Sequence, residues 1–278
     1  MKFPDFHTLQ VMAIVNVTND SFYDISRVTD TQAVERRIAE AVVAGATIVD
    51  IGGYSSRPGA DDVSLEDEWA RVDMGVGAAR RVAPEVAVSV DTFRAEIVRR
   101  TVEKYGAVIV NDITAGEGDD RMFDTVAELG VPYVAMHMRG TPQTMQSKTE
   151  YKDVVTEVVD YLSSRATELQ RRGVKSKNII LDPGFGFAKS VEQNYQLLAG
   201  LDRLCALGYA VLVGLSRKSM IYKVLDTTPQ NALAGTTALN WEAINRGATI
   251  LRVHDVEPAV QIVKIFREYT DDKGFGDL

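Results

Sequence analysis

Short apolar runs, rich in valine and isoleucine, recur along the whole chain. Each run is apolar nearly throughout, and most are bounded by glycine, proline or aspartate. This pattern is typical of strands that are buried on both faces of a parallel sheet. It predicts eight strands, at residues 11–15, 46–51, 86–90, 107–111, 132–136, 178–181, 210–213 and 249–252.

The segments between these runs have apolar residues at helical spacing. Clear examples are residues 31–45, 93–106 and 150–173, the last of which ends at Gly173, a common helix terminator. Eight strands that alternate with about eight helices predict a single-domain (β/α)8 TIM barrel. A doubly wound open sheet is the competing architecture. No linker or shift in composition divides residues 1–278, so we expect one domain.

Charge and cysteine content narrow the possible functions. The chain has 31 basic and 39 acidic side chains and a net charge of −8, which argues against a nucleic-acid-binding protein. One cysteine, Cys205, excludes an intrachain disulfide, and we expect it to be a buried helix residue. No signal peptide or membrane span is evident, so we expect a cytoplasmic protein without a membrane partner. The N-x-[ST] triplets that begin at Asn16 and Asn19 are therefore not expected to carry glycans.

Polar and charged side chains follow the predicted strands. In a barrel of this kind the carboxyl ends of the strands form the catalytic face, so these side chains are expected to meet there. Helix capping explains some aspartates and asparagines, but it does not explain the cations. The candidates are Asn16, Asp91, Asn111, Asp182, Lys218, Arg252 and His254.

Two ligand chemistries suit these residues. The carboxylates and amide of Asp91, Asn111 and Asp182 could hydrogen-bond a flat, nitrogen-rich heterocycle. The cations of Lys218, Arg252 and His254, together with Asn16, could hold a phosphate or pyrophosphate. One pocket with both parts would bind a heterocycle that carries a phosphate ester.

Eight segments in order along the chain give a more specific indication. They read NVTNDSF, VDIGGYSSRPGA, SVDT, VNDI, MHMRGTPQTMQ, LDPGFGFAK, VGLSRKS and RVHDV, and they span residues 15 to 256. With these segments the chain resembles the dihydropteroate synthase family of pterin-binding TIM barrels. The resemblance implies that 4-aminobenzoate displaces pyrophosphate from 6-hydroxymethyl-7,8-dihydropterin diphosphate, which gives the folate precursor 7,8-dihydropteroate. It also implies a homodimer.

The resemblance assigns roles to matching positions. The pterin would be held by Asp91, Asn111, Met136, Asp182 and Lys218. Pyrophosphate would be held by Asn16, Arg252 and His254, with Mg²⁺ bound at Asn16. The 4-aminobenzoate would lie near Ser56, Arg57, Pro58, Phe187 and Ser219. The expected catalytic residues are Asp91, Lys218, Arg252 and His254.

This reaction fits the chemistry of the residues. Cations and Mg²⁺ would neutralise the departing pyrophosphate, and the Asp91 carboxylate would stabilise the resulting pterin cation. The aniline nitrogen would then attack. No protein nucleophile is needed, in agreement with the absence of an evident activated cysteine or serine.

Six positions depart from the family's usual pattern. Asn19 stands in place of proline, Ile25 and Ser26 in place of a glycine pair, Tyr54 in place of glutamate, Ser56 in place of threonine and Ala188 in place of a frequent glycine. We expect these departures to affect loops and not the pterin pocket.

Rival functions fit less well. The glycines of DPGFGFAK lack the third position of a dinucleotide-binding fingerprint. A zinc hydrolase would need more ligands than His137 and His254 offer, and we expect His137 to be a structural, hydrogen-bonded residue. A methyltetrahydrofolate methyltransferase has no diphosphate for the anion-binding residues to hold. An inactive pterin-binding relative stays open as a non-enzyme alternative.

Overall fold

The eight predicted strands are present, and every boundary lies within two residues of the prediction. The computed structural model describes residues 3–17, 27–54 and 63–271. The strands are β1 Gln10–Asn16, β2 Ile48–Gly52, β3 Ala87–Asp91, β4 Ile109–Asp112, β5 Tyr133–Met136, β6 Ile179–Asp182, β7 Ala210–Val213 and β8 Ile250–Val253.

The strands close into a barrel in chain order. All neighbouring strands are parallel, and β8 returns to pair with β1, where Leu251 lies opposite Val11. This closure confirms the (β/α)8 barrel and rules out the open doubly wound sheet. It also brings the carboxyl ends of all eight strands to one face of the molecule.

Apolar side chains fill the inside of the barrel. Adjacent strands contribute residues at the same level, as in the register of Met12 with Ile48 and of Ile48 with Ala87. Phe6 joins this cluster from the segment before β1, and Phe3 packs against it. The interior is therefore a packed core, which leaves the carboxyl-terminal face for chemistry.

Helices cover the outside of the barrel. In the part of the chain that the structure describes they are α1 Arg27–Val43, α2 Leu65–Val82, α3 Ala95–Tyr105, α4 Met122–Leu129, α5 Val154–Arg171, α6 Val191–Ala199, α7 Leu201–Cys205, α8 Ser219–Tyr222, α9 Leu233–Asn245 and α10 Val256–Asp271. These ten exceed the predicted eight because the connections after β6 and β7 each contain two helices.

Capping residues explain where the predicted helix boundaries shift. The helix expected at 150–173 begins at Val154 because the Asp153 side chain accepts hydrogen bonds from the backbone of Val155 and Thr156. Gly173, with φ of 99°, follows its end as predicted. Cys205 is on a helix, α7, as expected, but its side chain is only partly buried.

No helix among residues 3–17, 27–54 and 63–271 combines the length and the apolar character needed to cross a membrane.

Candidate active site

The register of the barrel places the predicted polar residues side by side. Asn16 lies opposite Gly52, Gly52 opposite Asp91, and Asp91 opposite Asn111, on four successive strands. A Cβ atom on Gly52 would lie 3.5 Å from Asn16 Oδ1 and 3.7 Å from Asp91 Cβ. The side chains of Asn16 and Asp91 therefore share the space above Gly52.

Arg252 on β8 links two of these strands, β2 and β3. Its Nε donates a hydrogen bond to Asp50 Oδ2 at 2.7 Å, and its Nη2 donates to Asp91 Oδ2 at 2.9 Å. Asn111 Nδ2 donates to the same Asp50 oxygen at 3.1 Å. Nη1 makes no hydrogen bond to a described residue, so it is the part of the guanidinium that is available to an anion.

Asp50 is the main residue that sequence reasoning missed. It is fully buried on β2 and orients both Arg252 and Asn111. Its second oxygen, Oδ1, is buried without a partner among the described residues. A charged residue inside the otherwise apolar run IVDIG was the available signal, because buried carboxylates in strands are rare unless they are paired.

Burial and neighbouring charges set the protonation of this cluster. Burial raises the pKa of Asp91 to about 7, against the attraction of Arg252 and with support from the charge of Asp50. Burial lowers the pKa of Arg252, but the carboxylates of Asp50 and Asp91 outweigh it and leave that pKa raised. The guanidinium is therefore charged while Asp91 titrates near neutral pH.

Asp182 and Met136 form the opposite wall. They lie opposite each other on β6 and β5, and both are buried. Asp182 Oδ1 accepts a hydrogen bond from Gly184 N at 2.7 Å, whereas Oδ2 accepts none from a described residue. Burial raises the pKa of Asp182, and the charges of Lys218 and Arg252 oppose that shift. One carboxylate oxygen is thus fixed and the other is available.

Lys218 lies against the loop that follows β6. Its Nζ donates to the carbonyl of Phe185 and lies 4.7 Å from the centre of the Phe187 ring. A Cβ atom on Gly186 would come within 3.1 Å of the Lys218 side chain, so the glycine makes room for it. Burial lowers the pKa of Lys218 to about 8, with Asp182 acting in the other direction. Ser219 follows directly as the first residue of α8.

His254 differs from its expected role as a cation. Burial and the nearby charge of Arg252 lower its pKa to about 4, so the ring is neutral at pH 7. Ser216 Oγ accepts from His254 N at 3.2 Å and lies 3.1 Å from Nδ1. The serine hydroxyl can then donate to Nδ1, which leaves the ring proton on Nε2. His254 can offer an anion a hydrogen bond but not a charge.

His137 is buried and hydrogen-bonded, as the sequence predicts for a structural residue. Its Nδ1 lies 3.0 Å from the Nζ of Lys189, which is itself 4% exposed. Sequence reasoning assigned no role to Lys189.

Two of the departures from the family pattern, Tyr54 and Ala188, are among the described residues. Tyr54 packs edge-on against Phe93, with ring centres 5.1 Å apart, and lines a cavity of about 280 Å³ beside the site. Ala188 is fully buried in an apolar cluster with Met136 and holds φ at 50°. Ala188 thus shares a buried apolar cluster with Met136, one of the expected pterin contacts, and the expectation that this departure spares the pterin pocket stays a prediction. Asn19, Ile25, Ser26 and Ser56 lie outside the described residues.

The five expected contacts of 4-aminobenzoate fall into two groups. Ser56, Arg57 and Pro58 lie outside the described residues, as does the segment 18–26. The other two expected contacts are next to Lys218: the Phe187 ring centre lies 4.7 Å from its Nζ, and Ser219 follows it in the chain.

The fold and the site together define a class of protein: a (β/α)8 barrel with a binding face for a heterocycle beside groups suited to an anion. A family model described as pterin binding enzyme matches residues 12–254. A dihydropteroate synthase of Haemophilus influenzae is 41% identical over 263 residues, which is 95% of this chain and 94% of the relative.

Solved structures are similar over the same length. A Xanthomonas albilineans dihydropteroate synthase with 4-aminobenzoic acid has a TM-score of 0.87 and 39% identity, over 95% of this chain and 94% of that one. The enzyme of that organism in complex with 7,8-dihydropteroate has a TM-score of 0.84 and 37% identity, over 95% of each chain. The chain belongs to the pterin binding enzyme family and, within it, to the dihydropteroate synthases.

The raised pKa of Asp91 predicts how stability depends on pH. Asp91 has a pKa of about 7 in the folded protein, against an ordinary value of 3.8. Between these values the folded protein holds a proton that the unfolded chain has released, so stability falls as pH rises through that range. Asparagine cannot titrate. Asp91→Asn should therefore lose less free energy of unfolding than the wild type between about pH 5 and about pH 7.5.

Urea unfolding at the two pH values measures this difference. Asp120→Asn changes an exposed aspartate and should behave like the wild type. An equal loss of stability in the wild type and in Asp91→Asn would contradict the assignment.

Proposed function

We propose that this protein condenses 6-hydroxymethyl-7,8-dihydropterin diphosphate with 4-aminobenzoate to give 7,8-dihydropteroate and pyrophosphate. It is then a transferase of folate biosynthesis. The observation that carries this function is the ring of Asp91, Asn111, Asp182 and Lys218 around the barrel mouth, with Arg252 at its centre. The relatives that hold 4-aminobenzoic acid and 7,8-dihydropteroate support it.

The pterin would bind between two walls of this ring. Asp182 Oδ2 and the Asn111 amide would exchange hydrogen bonds with the nitrogen-rich edge of the heterocycle, and Lys218 would donate to an acceptor on it. Met136 would pack against the ring face. Asp91 would lie beside the carbon that loses pyrophosphate, because it shares the space above Gly52 with Asn16, the proposed pyrophosphate contact.

Three groups would hold the pyrophosphate. Arg252 offers Nη1, His254 offers a neutral Nε2–H, and Asn16 offers its amide. The single charge of Arg252 is already shared with two carboxylates, so a diphosphate would bring excess negative charge to this position.

A Mg²⁺ ion at Asn16 fits this donor set. Among the described residues no group of three histidine, cysteine, aspartate or glutamate side chains could hold a metal by itself. Mg²⁺ commonly uses one or two protein oxygens and completes its shell with phosphate and water, and Asn16 Oδ1 would be such a ligand. When bound, the ion would neutralise charge on the diphosphate.

The 4-aminobenzoate would bind at the outer side of the pterin. Phe187 and Ser219, which are both next to Lys218, would line that side, and we propose that Ser56, Arg57 and Pro58 complete the site. Arg57 would pair with the benzoate carboxylate, for which a guanidinium is well suited.

The catalytic residues act mainly by electrostatics. Arg252 and His254 would stabilise the departing pyrophosphate, and ionised Asp91 would stabilise the pterin cation that remains. Lys218 would orient the heterocycle while the aniline nitrogen attacks. This dissociative order needs no covalent intermediate with the protein.

Release of pyrophosphate tests the function directly. We expect release only when both the pterin diphosphate and 4-aminobenzoate are present. Asp91→Asn should lower turnover about 100- to 1,000-fold, because it removes a charge that acts in the transition state. Its affinity for the pterin diphosphate should change by less than about tenfold, because the other ring contacts remain.

A coupled pyrophosphate assay measures turnover, and calorimetry measures affinity. Equal losses of turnover and affinity in Asp91→Asn would reject its catalytic role. Tight pterin binding by the wild type without any release would instead support the inactive relative.

The proposed metal ligand can be tested without turnover. Mg²⁺ should tighten the binding of pyrophosphate to the wild type, and chelation with EDTA should reverse the gain. In Asn16→Ala this gain should shrink about tenfold, as expected when a metal site loses a ligand or its support. Calorimetry of pyrophosphate with and without Mg²⁺ measures it. Asn111→Ala, which removes an amide from the pterin side, should keep the full gain; an unchanged gain in Asn16→Ala would argue against the site.

We also propose a homodimer formed through one side of the barrel. Large apolar side chains are exposed at Val224, Leu225, Leu233 and Ile265, at 59%, 51%, 38% and 61%. They lie on or beside α8, α9 and α10, which are neighbours in space. Such a group of exposed apolar residues is common where a protein meets a partner, and a second copy fits the resemblance to the family.

Ile265→Glu should shift the dimer toward monomer, because it places a charge in the apolar interface. Light scattering after size-exclusion chromatography measures the mass. Val82→Glu alters an exposed valine on α2 and should leave the dimer intact. A wild type that is monomeric throughout the accessible concentration range would refute the proposal.

Two further proposals concern the whole chain. We propose that residues 1–278 form a single domain and that the protein works in the cytoplasm. The closed barrel joins the described residues in one unit, which supports the single domain. The proposed substrates are small molecules, and we expect the enzyme to be in the compartment that contains them.

A further inference from the structure

The loop that follows β6 is folded around the buried ammonium of Lys189. Its Nζ lies 3.0 Å from the carbonyl oxygen of Gly184, 3.0 Å from that of Phe187 and 3.0 Å from His137 Nδ1. An ammonium has three N–H donors and no acceptor, so three acceptors match it completely. Burial lowers the pKa of Lys189 well below its usual value, and the charge of Asp182 opposes that shift. A lysine that is 4% exposed therefore needs such pairing to keep its proton, because an unpaired buried charge is costly.

The Nδ1 atom of His137 can serve as the third acceptor for the Lys189 ammonium. Burial and the charge of Lys189 lower its pKa to about 2, so the ring is neutral. The imidazole packs edge-on against Tyr161, with centres 5.1 Å apart, which holds its orientation. With the ring proton on Nε2, Nδ1 presents a lone pair to Lys189.

The same loop carries the groups that face the proposed pterin. Gly184 N donates to Asp182 Oδ1, the Phe185 carbonyl accepts from Lys218, and the Phe187 ring lies under the Lys218 ammonium. Lys189 donates hydrogen bonds to the carbonyl oxygens of Gly184 and Phe187, the first and last residues of this set of contacts. The backbone reverses at Ala188, whose φ of 50° returns the Lys189 side chain to its own loop.

Charge adds to this geometry. Three cations act on Asp182: Lys218 from the loop after β7, Arg252 from β8 and Lys189 from the loop that follows Asp182 itself. His137, from the loop after β5, is neutral. All three cations favour the ionised form of Asp182, against the effect of burial. Lys189 is the one of these three that the proposed substrate contacts leave unused.

We propose that Lys189 is a positioning residue of this site, which fixes the loop after β6 and keeps the Asp182 carboxylate ionised for the heterocycle. This role rests on the proposed function and deepens it. Lys189 acts through Asp182 and Lys218 and does not itself contact the substrate.

Lys189→Met keeps the length of the side chain but removes its charge and its hydrogen bonds. Lys189→Gln keeps donors but not the charge. We expect both variants to bind 6-hydroxymethyl-7,8-dihydropterin diphosphate about ten- to hundredfold more weakly, because small displacements of binding groups are costly. Lys177→Met removes an exposed lysine just before β6, at the opposite end of the same strand, and should match the wild type.

The pH dependence of pterin binding separates positioning from simple stability. Without the charge of Lys189 the pKa of Asp182 should rise, so its carboxylate is lost at a higher pH as the solution is acidified. The acidic limb of the affinity profile should therefore move to higher pH in both Lys189 variants and not in Lys177→Met.

Calorimetry across pH measures the profile, and circular dichroism checks the fold. Variants that bind within twofold of the wild type with an unmoved acidic limb would overturn the role of Lys189. If neither variant folds, Lys189 serves stability alone and the proposal also fails. A wild type that does not bind the pterin at all would overturn the proposed function first, and this role with it.

Discussion

The guanidinium of Arg252, held between the carboxylates of Asp50 and Asp91, is the contact on which the site depends. Two buried carboxylates close to each other are unstable unless a cation pairs with both. Arg252 comes from β8, whereas its partners come from β2 and β3. The contact therefore spans the pairing of β8 with β1 that closes the barrel. The same closure that completes the fold brings the parts of the site together.

The ligand-free site is nearly balanced in charge. Asp50, Asp91 and Asp182 face Arg252, Lys218 and Lys189, and His254 is neutral because of its burial. Little positive charge is left over for a diphosphate. A cation that arrives with the diphosphate would restore the balance, and the proposed Mg²⁺ would then need few protein ligands besides the amide oxygen of Asn16.

The sequence predicted the fold well because each strand is a continuous apolar run, and such runs suit only strands that are covered on both faces. It also predicted which residues meet at the rim, since parallel strands bring their carboxyl ends together. It could not predict the charge of His254, because that charge depends on burial and on the proximity of Arg252. Asp50 was missed for a similar reason: its role depends on which way it points inside the barrel.

Ala188 and Lys189 show a second limit of local reasoning. A left-handed backbone at an alanine is unfavourable by itself, and no sequence pattern of a single chain would select it. The tertiary structure offsets this cost, because the reversal at Ala188 brings the Lys189 ammonium to three acceptors and buries the alanine in the apolar cluster that includes Met136.

Two groups of this site, Asp91 and Lys218, have pKa values close to neutral pH, so a bound substrate would change their protonation. Asp91 and Lys218 have pKa values of about 7 and about 8, so neither is firmly in one state in the ligand-free protein near neutral pH. In the proposed complex, a pterin that accepts a hydrogen bond from Lys218 would favour the ammonium, and a developing positive charge on the pterin would favour the carboxylate of Asp91. In the proposed mechanism the substrate itself would therefore complete the reactive ionisation state. Around it, Asp50 is buried with one oxygen unpaired among the described residues, and Lys189 is buried with three acceptors.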